Sequence, residues 1–406
     1  MTKLLYISYF APYDRVDHAG GKVHNFYVKN LQRDPDYDVT LLTMCYRREI
    51  ENLDLDKYGI RHRLVVLDKT APQRYMRMFI SGFSYFNPWD KYGKILLNYE
   101  RHHLKQMIAG YAGENERPDM IILQWTQIVL LMPFIRKLYP DTKIIAIEED
   151  VLFLNFYRRI ALAKNRWQRY IAKYQYRNLR KRELCALQEA QQIVVNNFKD
   201  ADLLSENGIE KKKIFTSSVY FENYSFVNRD SAGSDKTHKD ILFYGAMHRD
   251  ENHISAMWFI RNVVPLLPEE FRFVVVGARP QKELISMQDD RIRVVGFVED
   301  ISVYFASCFC LAAPLILGAG IKVKVLEAMS AGVPVLTNTI GMEGIGAERG
   351  REYWHCETAE EYAEKIVWIG EHSAEAKEIS ESGKKYIQEN FDLQKKYDEL
   401  VAGWKV

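Results

Sequence analysis

Short apolar runs alternate with amphipathic stretches along this chain, and the rhythm occurs twice. Residues 4–9 read as a buried strand. A loop carrying Pro12 and the pair Gly20 and Gly21 follows, then a helical pattern over 23–31 and a second strand over 38–43. Strand, glycine turn, helix and strand open a doubly wound α/β domain. Runs at 120–123 and 143–147 predict further parallel strands, and 192–196 predicts the last strand of this half. The pattern restarts at 240–245, 271–277, 291–296, 309–314 and 333–337, with helical segments between, which again predicts a parallel sheet covered on both faces. The polar stretch 228–239 has no apolar period and reads as a surface loop near the boundary. Residues 358–406 read as two or three helices. The expected fold class is therefore α/β with two Rossmann-like domains, 1–218 and 219–385, and a C-terminal helical segment 386–406 that can return to the first domain.

Composition narrows the function classes. At 406 residues and 47% hydrophobic content, each half can bury a core of its own. A net charge of +2 gives no strong global field, so attraction to nucleic acid or membrane has to come from a local patch. The five cysteines, Cys45, Cys185, Cys308, Cys310 and Cys356, form no CxxC pair, and the expectation is buried thiols in a reducing cytosol. The apolar run near the N-terminus is too short for a signal peptide or a membrane span. A cytoplasmic protein, soluble or peripheral at the inner face of the membrane, is expected.

The densest chemistry lies between Gly318 and Leu336. Gly318, Ala319, Gly320 and Ile321 read as a tight turn, Lys322 and Lys324 follow, and Glu327 is expected on an apolar helix before Gly332-Val-Pro-Val enters a strand. A helix start attracts anions, two ammonium groups add to that attraction, and a carboxylate accepts hydroxyl hydrogen bonds. The combination suits a diphosphate joined to a diol, as in a nucleotide-sugar. The plain alternative is a solvated helix face on which Lys324 and Glu327 pair at i and i+3.

These residues, with Phe243-Tyr-Gly-Ala-Met247, Asn252, Val276-Gly277, Val295-Gly-Phe297 and Gly341-Met-Glu-Gly344, resemble a GT-B glycosyltransferase of the retaining family 4 type. The resemblance covers most of 240–345 and is thinner in the first half. It implies two Rossmann-like domains facing each other across a cleft that holds a nucleoside diphosphate sugar. It also implies transfer to a hydroxyl of a glycan or lipid-linked acceptor, with retention at the anomeric carbon and without an enzyme nucleophile or metal. Glu327 would bind the ribose hydroxyls. Lys322 and Lys324 would face the diphosphate, with Gly318, Ala319, Gly320 and Ile321 approaching it. Phe297 and Val298 would hold the base through the main chain, and Gly20, Gly21 and Gly245 would border the donor. Bacterial surface polysaccharide, glycolipid or glycoprotein assembly is the implied setting. Three departures stand out. Ala319 replaces the first glutamate of the usual pair, Ala246 follows Gly245 where the family carries basic residues, and Gln124-Trp125 lies where a histidine is usual. His248 and Arg249 are candidate substitutes. A catalytically silent scaffold beside an active transferase is the competing expectation. No GxGxxG follows the first strand, which counts against a nicotinamide-dependent oxidoreductase.

Other candidates are less specific. Asp17 and His18 precede the glycine pair; Gln124 ends one strand and Asp150 follows another. Each is a candidate for acceptor or sugar contact, with a strand cap as the alternative for Gln124 and a helix N-cap equally open for Asp150. Residues 158–182 carry ten Lys or Arg and no acid, with Trp167, Tyr170, Ile171 and Tyr174 at helical spacing. That pattern suits an anionic membrane surface; the alternative is core aromatics beneath a solvated cationic face. The aromatic-rich stretch 75–99 reads as an interfacial loop or acceptor lip. With no nucleic-acid module visible, nucleic acid is not an expected partner.

Overall fold

A computed structural model describes residues 1–14, 16, 19–67, 95–114, 117–161, 163, 165–229, 238–317 and 320–404. The chain divides into two units: Met1–Tyr220 with Lys396–Val406, and Phe221–Lys395.

Among the described residues, the first unit holds a seven-stranded sheet of β1 (Thr2–Ser8), β2 (Tyr37–Tyr46), β3 (Arg61–Leu67), β4 (Met120–Gln124), β5 (Lys143–Glu148), β6 (Gln192–Val195) and β7 (Ile214–Thr216) in the order 3-2-1-4-5-6-7. Neighbouring strands run parallel, with Leu4 opposite both Val39 and Met120. Both faces are covered, so the inner strands are apolar at nearly every position. Alternate residues feed separate cores. Leu5, Ile7, Ile121, Leu123, Ile144 and Ala146 enter one; Leu4, Tyr6, Met120, Ile122, Ile145 and Ile147 enter the other. The helix Ala19–Arg33 supplies Val23, Tyr27, Val28 and Leu31 to the second core. The final helix, Leu393–Ala402, adds Tyr397, Leu400 and Val401 to the same core, and Trp404 Nε1 donates to Gln192 Oε1 at 2.6 Å.

The second unit holds β8 (Lys239–Tyr244), β9 (Phe271–Val276), β10 (Ile292–Gly296), β11 (Cys310–Ala313), β12 (Val335–Thr337) and β13 (Trp354–His355) in the order 10-9-8-11-12-13, again parallel. In each sheet the order reverses beside the first strand, at β1/β4 and at β8/β11. Crossovers leave such a point on opposite faces, which opens a crevice at the carboxyl ends of the strands.

Several expectations change. β6 is not the last strand of the first sheet, and β3 was not foreseen. β3 lies at an edge with most of its positions partly exposed, and β7 is three residues long, so neither shows a buried apolar run. β13 has only two residues. The expected break at 385/386 falls inside the helix Ser373–Asn390, which lies wholly in the second unit. Gly20 and Gly21 belong to the first turn of a helix rather than to a loop. Cys185 is exposed, unlike the four other thiols. The loop at 228–239 has residues 230–237 outside the described residues, as does most of the stretch 75–99.

Candidate active site

In the second unit the site grows from the ends of β8 and β9. Gly245 and Gly277 have φ of 149° and 152°, conformations that side chains disfavour. A Cβ on Gly277 would lie 1.7 Å from the Gly245 carbonyl oxygen. Backbone therefore meets backbone here: Gly245 N donates to Val276 O at 3.0 Å and Gly277 N to Gly296 O at 2.7 Å. A Cβ on Gly245 would come within 3.0 Å of both Asn252 Nδ2 and Lys324 Nζ, so its absence lets those two side chains close over the turn.

The helix Val323–Ser330 follows β11 and carries the basic and acidic groups. Its N-terminus has Lys322 as cap residue, without a side-chain capping bond. Lys324 Nζ donates to Asn252 Oδ1 at 2.6 Å and lies 4.3 Å from the Phe243 ring centroid. Asn252 is itself held, donating through Nδ2 to Ala246 O at 3.1 Å. Burial lowers the Lys324 pKa to about 7, and the positive charges of Arg249 and Lys322 act in the same direction against Glu251 and Glu327. Glu327 accepts from Tyr244 Oη at 2.5 Å. Tyr244 is half-buried, and desolvation with that neighbouring carboxylate holds its hydroxyl protonated well above the usual range. One glutamate oxygen is thus fixed by a phenol, which aims the carboxylate.

At the ends of β4 and β5 the first unit gathers acids. Gln124 is fully buried, and both ends of its amide are engaged. Tyr6 Oη donates to its Oε1 at 2.7 Å, and its Nε2 donates to Glu149 Oε1 at 2.5 Å. Asn196 Nδ2 donates to Glu149 Oε2 at 2.8 Å. Burial raises the Glu149 pKa to about 8, and nearby Asp150 adds to it. A Cβ on Gly20 would sit 3.2 Å from Glu149 Cγ, so glycine permits that helix turn to rest on the carboxyl group. Deeper in, Glu148 accepts from Thr126, and burial together with Glu183 holds it protonated well above the usual carboxyl range. Glu183 accepts from Leu152 N at 2.9 Å and Phe153 N at 3.0 Å, and burial raises its pKa to about 8. Among the described residues no group of three or more His, Cys, Asp or Glu is arranged to hold a metal ion.

Residues 238–372 match the family model described as Glycosyl transferases group 1. The matched stretch lies within the second unit. Solved structures extend the likeness to the whole chain as a fold. Anabaena HepE in complex with UDP aligns with TM-score 0.67 and 12% identity over 99% of each chain. Sucrose-phosphate synthase from Thermosynechococcus elongatus aligns with TM-score 0.69 and 11% identity over 100% of this chain and 98% of that one. The chain has the two-domain GT-B fold. A Klebsiella pneumoniae protein described as an uncharacterized 44.6 kDa protein in a cps region is 25% identical over 174 residues, 40% of this chain and 45% of its own length. The match therefore spans less than half of that relative.

Within the matched stretch, Lys324, Glu327 and Gly245 come together with Asn252 and Tyr244, and Lys322 Nζ donates to Gly320 O at 2.5 Å beside them. Tyr244 also donates to Lys324 O at 3.2 Å. Ile321 lies between Gly320 and the helix cap and is half-buried. Gly320 has φ 71°. Phe297 is 72% exposed beyond β10, with Val298 half-buried behind it. Arg249 pairs with Glu251 at 2.5 Å, and His248 meets Arg279 at 3.1 Å, so both are partly committed to surface contacts. Gln124 is not placed for sugar contact; it holds Glu149. Asp150 is half-buried immediately after β5. Gly318, Ala319, Asp17 and His18 lie outside the described residues. In the sequence, Tyr244 and Asn252 stand out only as letters of the motif around Gly245. Their roles depend on bonds spanning 83 and 72 positions, and the available signal was their place beside Gly245.

Proposed function

We propose that the protein transfers a sugar from a nucleoside diphosphate donor to a hydroxyl acceptor, with Lys322, Lys324 and Glu327 as the donor-binding groups. The observation that carries this reading is the pair of fixed side chains at one glycine turn: Lys324 held by Asn252 and Glu327 aimed by Tyr244. Tyr244 donates to one carboxylate oxygen and Glu222 N to the other at 3.4 Å, a long bond that a ribose hydroxyl would join or replace. A diphosphate arriving beside Lys324 supplies the negative charge that burial has denied it. It restores the ammonium form and meets Lys322 and the helix start at the same place. As the bond to the sugar breaks, charge grows on the departing diphosphate, and donors already in position lower that barrier.

The UDP bound to Anabaena HepE supports a nucleotide donor, and the Klebsiella relative from a cps region supports surface-polysaccharide assembly as the setting. Retention at the anomeric carbon, with a hexosyl or related donor, a glycan or lipid-linked acceptor and no metal, follows from the resemblance to family 4. In the first unit, Asp150 is the contact proposed for an acceptor hydroxyl.

Calorimetry with uridine, guanosine and thymidine diphosphates, followed by donor turnover, tests this. Glu327→Ala and Lys324→Ala should each weaken donor use by about a hundredfold while thermal unfolding is retained. Turnover at the wild-type rate in both variants would remove these residues from the mechanism. A chain that binds no nucleotide would instead favour the silent GT-B scaffold, the reading that Ala319 supports.

A further inference from the structure

The helix Arg166–Gln188 serves two environments. Its C-terminal half is core: Leu179, Glu183, Leu184, Ala186 and Leu187 are buried. Its first turns are not. Trp167 is 61% exposed and Tyr170 55%, and their rings stack at 6.0 Å and 21°. The helix begins on an Asn165 cap that accepts from Gln168 N at 2.8 Å, so its N-terminus is a defined structure. The preceding helix, Leu152–Ala161, lies against it through Tyr157 and Tyr176, with ring centroids 5.3 Å apart, and Tyr157 is 57% exposed. Arg159, Arg166, Arg169, Lys173 and Arg177 are exposed around these rings. The alternative of core aromatics under a cationic face therefore fails for Trp167 and Tyr170, which are displayed together with the cations.

We propose that this helical hairpin docks the first unit onto an anionic phospholipid bilayer. The charge is complementary to such a surface, since 158–182 carries ten Lys or Arg and no acid. Each Lys or Arg held near an anionic leaflet adds to binding, while Trp and Tyr seat amphipathic rings at headgroup depth. A second observation extends the surface along the same helix. Lys181 and Arg182, with Lys105, Leu130, Leu131 and Phe134, line a cavity of about 430 Å³ that no carboxylate borders. Cations above an apolar floor match a lipid phosphate with its glycerol and first methylenes. A nucleic acid would use the cations but leaves the aliphatic Leu130 and Leu131 of that floor unmatched. No helix among the described residues is long and apolar enough to cross a membrane, so the contact proposed is at the surface. The inference stands apart from the donor site and does not depend on it.

The test is cosedimentation of the full chain with phosphatidylglycerol–phosphatidylcholine vesicles against pure phosphatidylcholine vesicles, at low and high salt. The wild type should bind the anionic vesicles alone and release at high salt. Neutralising Arg166, Arg169 and Lys173 to Gln should weaken binding by about a hundredfold. Trp167→Ala with Tyr170→Ala should weaken it roughly tenfold. All of these side chains are exposed, and unchanged nucleotide binding in each variant would report an intact fold. Equal binding to neutral vesicles, insensitivity to both sets of substitutions, or binding of single-stranded RNA with no vesicle binding would overturn the proposal.

Discussion

At the carboxyl ends of its strands the first sheet collects acids, whereas the second collects bases around one aimed carboxylate. Both ends are partly buried, and burial acts against charge in each. It raises Glu149 to about 8 and lowers Lys324 to about 7. The same parallel α/β plan thus yields a crevice of neutral, proton-bearing acids in one unit. In the other it yields a lysine amine poised to gain a proton when an anion arrives. The difference lies in the few residues that end β4, β5 and β8 and begin the helix after β11, not in the architecture.

The comparison can be broken or sharpened by substitution, beginning with the backbone. Gly277→Ala places a methyl group against the Gly245 carbonyl and should cost the second unit about 3 kcal/mol or more, read as a lowered thermal midpoint. A wild-type midpoint would mean that the close approach is not a constraint. Next come the acids. A carboxyl whose folded pKa lies above its unfolded value stabilises the fold below that unfolded value, and the contribution is lost as pH rises through the folded one. Stability should therefore fall by a few kcal/mol as pH rises from 4.5 to about 8, the ordinary and folded values for Glu149 and Glu183, and level off above that. Glu149→Gln should flatten part of that slope in denaturant titrations; an unchanged slope would place the titration elsewhere.

The basic site has the opposite sense. Nucleotide affinity should drop as pH rises above about 7, by at most about tenfold per unit, because Lys324 loses the proton that the diphosphate needs. Lys324→Met should bind weakly with no such slope in calorimetry, and a slope that survives would assign the proton to another group. The smallest effect expected is that of Tyr244→Phe. It removes the hydrogen bond aiming Glu327 and should weaken nucleotide binding about tenfold with little loss of stability. Full affinity would show that Glu327 needs no such support.

Much of this was legible along the chain because it is local. The inner strands announce themselves as apolar runs, since a sheet covered on both faces needs apolar residues at every position. The glycine turn, Lys322, Lys324 and Glu327 lie within one short segment and could be read as a unit. β3 and β7 were hidden because an edge strand is half wetted and a three-residue strand carries no period. Gln124 was misjudged for a different reason. A glutamine at a strand end looks available for a ligand, and only its bonds to Tyr6 and Glu149 reveal it as a support.

The sequence by itself determined the double α/β pattern, the anion-attracting turn and the acid-free basic segment, because each depends on neighbours in the chain. The tertiary structure decided which of those groups have partners. It tied Lys324 to Asn252 and Glu327 to Tyr244, turned Trp167 and Tyr170 outward, and brought the last helix, through Tyr397, Leu400 and Val401, into the core of the first unit. Desolvation and long-range hydrogen bonds arise only where distant segments meet, and they set the protonation of Lys324 and Glu149, which no spacing along the chain encodes.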